Sequence, residues 1–281
     1  MVLGWISDRR HDMGPMNAIR PAAVAGSFYP ADAATLRRAV EGYLAGAEAP
    51  QGPPPRAIIA PHAGYVYSGP IAARAYAALA PWRGVARRVI VAGPCHRVYV
   101  PGVAVPSASA FATPLGTLSL DEAALARLRA LPWVETHDRA HAQEHCIEVQ
   151  LPFLQSVLGE FELVPLVVGD ASPDEMAATF EAIWEEPHTL VVVSSDLSHY
   201  LPYDAARGRD RDTARAIVAL EATLVPDEAC GAAPINGLLR AARRRGMKAE
   251  LVDLRNSGDT AGDRSRVVGY GAFAFTEPAH G

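Results

Sequence analysis

Apolar residues in this chain gather in short unbroken runs separated by stretches of helical periodicity. The runs are 56–60 (RAIIA), 88–92 (RVIVA), 163–168 (LVPLVV) and 190–194 (LVVVS). Continuous hydrophobicity rich in β-branched residues, with no polar alternation, predicts strands covered on both faces. Between them the spacing predicts helices over 71–80, 121–130, 144–158, 173–185, 209–220 and 234–245. Ser172 stands three residues before Glu175, the pattern of a capping box, and Gly246 stands where a helix-ending glycine belongs. The segments 250–254 and 266–276 read as two more strands, with the turn-forming Asn256-Ser257-Gly258-Asp259 between them. Alternating strands and helices imply crossover connections. The expected fold class is therefore α/β: a single domain with a central mixed, mostly parallel sheet flanked by helices.

The stretch 51–55 (QGPPP) has linker composition, but too little chain precedes it to form a domain, so it reads as a loop entering the first long strand. Residues 1–15 carry charge without apolar periodicity, and Met16 opens the segment that begins to look structured. The domain is thus expected to span 16–281, with 1–15 a loosely ordered extension.

Of the 281 residues, 49% are hydrophobic and 20% charged, enough apolar material for a full core. A net charge of -5 and a pI of about 6.0 leave no global positive field for nucleic acid or an anionic membrane surface. Arg240, Arg243, Arg244 and Arg245 close a predicted helix, where positive charge offsets the helix dipole. Lys248 is the sole lysine, which removes most Schiff-base and P-loop chemistry. Cys95, Cys146 and Cys230 are odd in number and form no C-x-x-C pair, so a secreted disulfide scaffold is not expected. No apolar run reaches membrane-spanning length and no signal-type segment opens the chain, so the expected location is cytoplasmic.

Three apolar runs lead directly into histidines: His62 in 61–69 (PHAGYVYSG), His96 in 93–96 (GPCH), and His199 in 195–200 (SDLSHY). In open α/β sheets ligands bind beyond the C-terminal strand ends. One such imidazole is commonly structural, whereas three at matching positions suggest metal binding or proton transfer. Cys230 could complete such a site by supplying a thiolate, or it could be a small buried hydrophobe; the sequence leaves both open. Tyr65 and Tyr67 divide evenly between ligand contact and packing. The Leu151, Leu154 and Leu158 stripe reads as core, and Gly64, Gly69, Gly93 and Gly231 read as turn glycines. His137 and His141 read as solvent-facing. A Ser-His-Asp hydrolase using Ser194 or Ser195, Asp196 and His199 is disfavoured, because G-x-S-x-G is absent and these residues are sequence neighbours.

The segments 61–69, GPCH, 144–155 (EHCIEVQLPFLQ), 194–200 (SSDLSHY) and 229–231 (ACG) resemble the Memo family, which includes the bacterial AmmeMemoRadiSam system protein B. The resemblance begins at 20–30 (RPAAVAGSFYP) and continues through NSGD and VVGYGAF, in consistent order. It implies a fold similar to class III extradiol dioxygenases, whose iron is held by two histidines and a glutamate. By motif, the metal positions fall on His62, His96 and Cys230, and His199 falls where those dioxygenases keep an acid/base histidine. His145 and Glu148 are expected to line the pocket, with Glu148 orienting an imidazole, and Asp196 is expected to orient a neighbouring histidine. Iron is the first expectation for the metal; a cysteine ligand makes copper or zinc competitive. The implied function is a metal-dependent oxidoreductase or oxygenase-like enzyme acting on a small molecule. The alternative is a peptide- or phosphopeptide-binding protein using the same pocket. Pathway partners would be an AMMECR1-like protein and a radical SAM protein, with no nucleic acid or membrane partner.

Overall fold

The computed structural model describes residues 18–48, 51–185 and 188–278, so the expected 1–15 extension lies outside the described residues. The chain enters through β1 (Ile19–Arg20) and α1 (Ala33–Ala45), then forms β2 (Ala57–Ala60), α2 (Tyr65–Ala77) and β3 (Arg88–Pro94). Four short strands follow around one short helix: β4 (Val103–Val105), β5 (Ala110–Thr113), β6 (Gly116–Ser119), α3 (Glu122–Leu128) and β7 (Val134–Thr136). Next come α4 (Asp138–Ala142), α5 (Leu151–Leu158), β8 (Glu162–Val168), α6 (Pro173–Trp184) and β9 (Thr189–Ser194). The chain ends with β10 (His199–Leu201), α7 (Tyr203–Val218), α8 (Ala232–Arg244), β11 (Lys248–Asn256) and β12 (Val267–Thr276).

Among the described residues, nine strands form one sheet in the order β10-β12-β2-β9-β3-β8-β4-β7, with β11 paired to β12; β1, β5 and β6 form a small second sheet. The centre, β2-β9-β3-β8, is parallel throughout. The tail strands and the β4–β8 pair are antiparallel, so in the large sheet parallel pairing is confined to the centre and to β4–β7. The four parallel strands are buried along nearly their whole length, which accounts for their unbroken apolar sequence. Tyr76, Phe153, Phe180 and Phe273 fill a single core between sheet and helices, joined by the buried Leu151, Leu154 and Leu158.

The helix expected over 144–158 is shorter than its periodicity suggests. Glu144 turns its carboxylate onto the backbone N–H groups of His145 and Cys146, which removes those donors from a helical ladder. Regular α-helix begins at Leu151, with Pro152 in its first turn, where a missing N–H costs nothing. The Ser172–Glu175 capping box forms, and Gly246 takes a φ of 65°. Three of the four clustered arginines are ion-paired: Arg240 and Arg244 with Asp174, Arg244 also with Glu181, and Arg245 with Glu277.

Candidate metal centre

Because β2, β9 and β3 are parallel neighbours, their C-terminal ends open on the same edge. His62 follows β2, Asp196 and His199 follow β9, and His96 follows β3. β9 lies between the two histidine-bearing strands, yet the His62 and His96 ring centroids are only 5.3 Å apart, because β9 runs out into the small residues Ser194 and Ser195. His145 arrives from the irregular segment after α4. Its ring lies 5.2 Å from His62 and stacks on His96 at 4.6 Å. One ring nitrogen from each of His62, His96 and His145 lies within 4.8 Å of the others, a group able to hold a metal ion.

Cys230 adjoins this group through His62, with its Sγ 3.3 Å from His62 Nε2. Two ligands of one zinc-sized ion, at ordinary N and S bond lengths, stand about 3.5 Å apart, so this spacing suits a shared metal. The 229–231 loop is fastened to the end of β9 from both sides. Cys230 N donates to the Asp196 carbonyl at 3.2 Å, Asp196 N donates to Cys230 Sγ at 3.3 Å, and Gly231 N donates to Ser195 Oγ at 2.9 Å. Burial, reinforced by the Asp196 carboxylate, pushes the Cys230 thiol up to about 12. A metal ion bound there must therefore displace a proton.

Glu144 is the carboxylate that organises the imidazoles. Its Oε1 receives His96 Nδ1 at 2.9 Å and lies 3.1 Å from His145 Nδ1, while its Oε2 receives His96 N at 2.7 Å. Burial alone would raise its carboxyl, but the adjacent His145 and His96 imidazoles outweigh that and hold it well below the usual carboxylate range. His96, Glu144 and Cys146 also lie close enough together to suggest a second metal group. The geometry argues against it: the Glu144 carboxylate already accepts from His96 N, His96 Nδ1, His145 N and Cys146 N, and the buried Cys146 thiol donates to the Pro94 carbonyl at 3.1 Å.

Glu148 does not orient an imidazole. Its buried carboxylate receives Arg20 Nη1 at 2.6 Å, the backbone of Ala23 and Val24, and the Tyr29 hydroxyl, so it anchors the segment after β1. Glu144 and Glu148 are the two glutamates of one motif, and the sequence did not distinguish them. Asp196 acts on a histidine through the main chain: its Oδ1 accepts the His62 backbone N–H at 2.8 Å, and burial raises its carboxyl. Ser194 bonds His62 rather than His199, which breaks up the hydrolase arrangement.

The remaining candidates separate clearly. His141 is buried, not solvent-facing, and its Nε2 donates to the Ala104 carbonyl at 3.0 Å. α4 ends at Ala142, so His141 and His145 do not share a helix face; His137 is the N-cap of α4, accepting from Ala140 N. Tyr65 is core, with its hydroxyl on the Val149 carbonyl, whereas Tyr67 is partly exposed and faces a cavity. Gly64, Gly69, Gly93 and Gly231 all lack a positive φ; a Cβ on Gly69, Gly93 or Gly231 would instead collide with a neighbouring segment.

Two cavities of about 590 Å³ each open onto the group. One is walled by Phe28, Tyr67, Tyr200 and Tyr270 with Arg266 at its mouth, and contains His62, His145 and Asp196. The other contains Cys95, Cys230 and Arg209. His96 and His199 line both. Tyr200, 62% exposed beside His199, is held at a φ of 58°, an unfavourable conformation for a bulky side chain and one concentrated at functional sites.

The family model described as Memo-like protein matches residues 20–274. A MEMO1 family protein of Ignicoccus hospitalis is 38% identical over 284 residues, covering 92% of this chain and 99% of that protein. Another from Sulfolobus acidocaldarius is 37% identical with the same coverage, and one from Methanopyrus kandleri is 37% identical over 91% of this chain and 98% of its own length. The crystal structure of an uncharacterized protein from Escherichia coli K12 aligns at 14% identity and a TM-score of 0.45, over 76% of this chain and 98% of that one.

Proposed function

The chain belongs to the Memo family, and on that premise we propose that it is a metal-dependent oxidoreductase or oxygenase-like enzyme with a mononuclear centre held by His62, His96 and Cys230. The observation that carries this reading is the convergence of His62, His96 and His145 at one sheet edge with Cys230 Sγ 3.3 Å from His62 Nε2. Two neutral imidazoles and one thiolate suit a divalent transition metal and leave coordination positions for a small molecule. Iron is the first candidate, from the resemblance to class III extradiol dioxygenases, and the thiolate makes copper or zinc competitive. His145, beside Glu144, would offer a further nitrogen to the ion. When bound, the metal would polarise a substrate or activate a small oxygen species. His199, outside the tight nitrogen group yet facing both cavities, would move a proton to or from the substrate.

The test is metal analysis of anaerobically purified protein together with oxygen uptake. One ion per wild-type chain is expected, with strong loss in His62→Ala and Cys230→Ser and near-full occupancy but lost turnover in His199→Ala. Loss of metal in His145→Ala but not in Cys230→Ser would move the third ligand from sulfur to nitrogen. Absence of metal in the wild type would end the reading. The second reading, a peptide- or phosphopeptide-binding pocket, is favoured by one observation: Arg266 stacks on the exposed Tyr200 at the cavity mouth, 5.2 Å from its ring centroid. Peptide affinity that survives chelation would select it. Cytoplasmic location and the AMMECR1-like and radical SAM partners belong to the same proposal; among the described residues, no helix is long and apolar enough to cross a membrane.

A further inference from the structure

The imidazoles of the centre are not braced alike. His96 gives its Nδ1 to a carboxylate, but His62 Nδ1 meets the hydroxyl of Ser194, at 2.9 Å. A carboxylate can only accept, so it fixes the tautomer of its partner, whereas a hydroxyl can donate or accept and by itself fixes nothing. The surroundings of Ser194 remove that freedom. Its Oγ lies 2.6 Å from the Cys146 carbonyl, which can only accept, so the hydroxyl hydrogen is directed there. Gln150 Nε2 approaches the same Oγ at 2.7 Å. That nitrogen also faces the Pro61 carbonyl at 3.0 Å, and Tyr76 places its hydroxyl 2.7 Å from Gln150 Oε1, so the amide is oriented with its NH2 toward Ser194. With its hydrogen given to Cys146 and one lone pair taken by Gln150, Ser194 can only accept from His62.

We propose that Ser194, oriented by Gln150 and the Cys146 carbonyl, is a positioning residue that fixes His62 as its Nδ1–H tautomer and presents a bare Nε2 lone pair beside Cys230 Sγ. Ser194 and Gln150 are fully buried and His62 nearly so, which shields the hydroxyl's contacts from bulk solvent. In the metal-free protein the Cys230 thiol then donates to Nε2, and on binding the metal takes that proton's place. A hydroxyl partner also makes His62 a weaker electron donor than the carboxylate-braced His96, so the centre has built-in asymmetry between its two imidazole ligands. The effect on metal affinity rests on His62 being a ligand; the tautomer does not.

Long-range proton–nitrogen NMR on metal-free wild-type protein at pH 7.5 tests this directly, with the His62 signals assigned by their loss in His62→Gln. A pyrrole-type Nδ1 and a pyridine-type Nε2 are expected; the reverse pattern, or an average of the two, overturns the proposal. In Ser194→Ala the tautomer should shift toward Nε2–H and zinc(II) affinity should fall about 10- to 100-fold, with both restored in Ser194→Thr. A folded Ser194→Ala protein with wild-type tautomer and wild-type zinc affinity would also overturn it. If that variant does not fold, the wild-type spectrum still decides. Failure of the wild type to bind zinc, iron or copper would count against the metal centre itself and leave the tautomer result standing.

Discussion

Four residues apart in one segment, Glu144 and Glu148 do different work, and single substitutions should separate them. Glu144→Gln keeps the shape but removes the anion that aligns His96 and His145. It should lower metal affinity about 10- to 100-fold and also cost about 1–3 kcal/mol of stability, because one carboxylate oxygen becomes an NH2 that faces N–H donors, as read by metal titration and urea denaturation. Glu148→Ala strips the charge partner from a buried Arg20, a change that typically costs about 3–5 kcal/mol, so it should lower stability at every pH where the glutamate is ionised. His141 sets a second test. Burial, with Arg20 nearby, holds its folded pKa at about 4 against an ordinary value of 6.5, with Asp138, Glu144 and the Ala104 carbonyl opposing. The unfolded chain therefore binds the proton first as pH falls, so stability is full above about 6.5 and declines by about 3 kcal/mol on going to about pH 4. Denaturation at pH 4.5 and 7.5 should show this loss in the wild type and a smaller one in His141→Gln. Equal slopes in the two would assign the acid sensitivity elsewhere.

Close approaches between elements set the positions of the site, and glycines mark them. A Cβ on Gly237 of α8 would lie 2.2 Å from Met176 Cβ of α6, so Gly237→Ala must push the two helices apart. It should cost about 1–3 kcal/mol in urea denaturation. Gly93, in β3, is different: a Cβ there would lie 2.6 Å from Cys146 Sγ and 3.2 Å from Ser194 Cβ. Gly93→Ala should therefore both destabilise the protein and reduce metal occupancy, since Cys146 follows Glu144 and His145 directly. Wild-type occupancy in that variant would show that the segment can shift without disturbing the ligands. Helix α1 shows how an element escapes sequence patterning: only Leu36 and Val40 are buried along its 13 residues, too narrow a stripe to stand out among its charged neighbours. The strands β4 to β7 run only three or four residues each and exist because partners pair with them.

Across the whole molecule, the proposed centre draws on segments that span residues 62 to 230, so a bound ion would tie distant parts of the chain together. Metal at about 100 times its dissociation constant should add about 2.7 kcal/mol and raise Tm by about 5 °C or more, an increase that should vanish in His62→Ala. A Tm insensitive to metal in the wild type would contradict ligation at this edge. Much of this was determined by sequence alone. The unbroken apolar runs dictated four buried strands, because a strand covered on both faces has no polar alternation to show, and the histidines just past three of them marked the edge where imidazoles gather. Local signals such as the Ser172–Glu175 cap and Gly246 act within a few residues and were equally legible. Tertiary structure alone decided which glutamate faces the imidazoles, that β9 lies between the two histidine-bearing strands, that His145 joins them, and that Ser194 braces His62. Each of these depends on contacts between segments far apart in the chain, and a hydrogen-bond partner across the fold leaves no local pattern in the sequence.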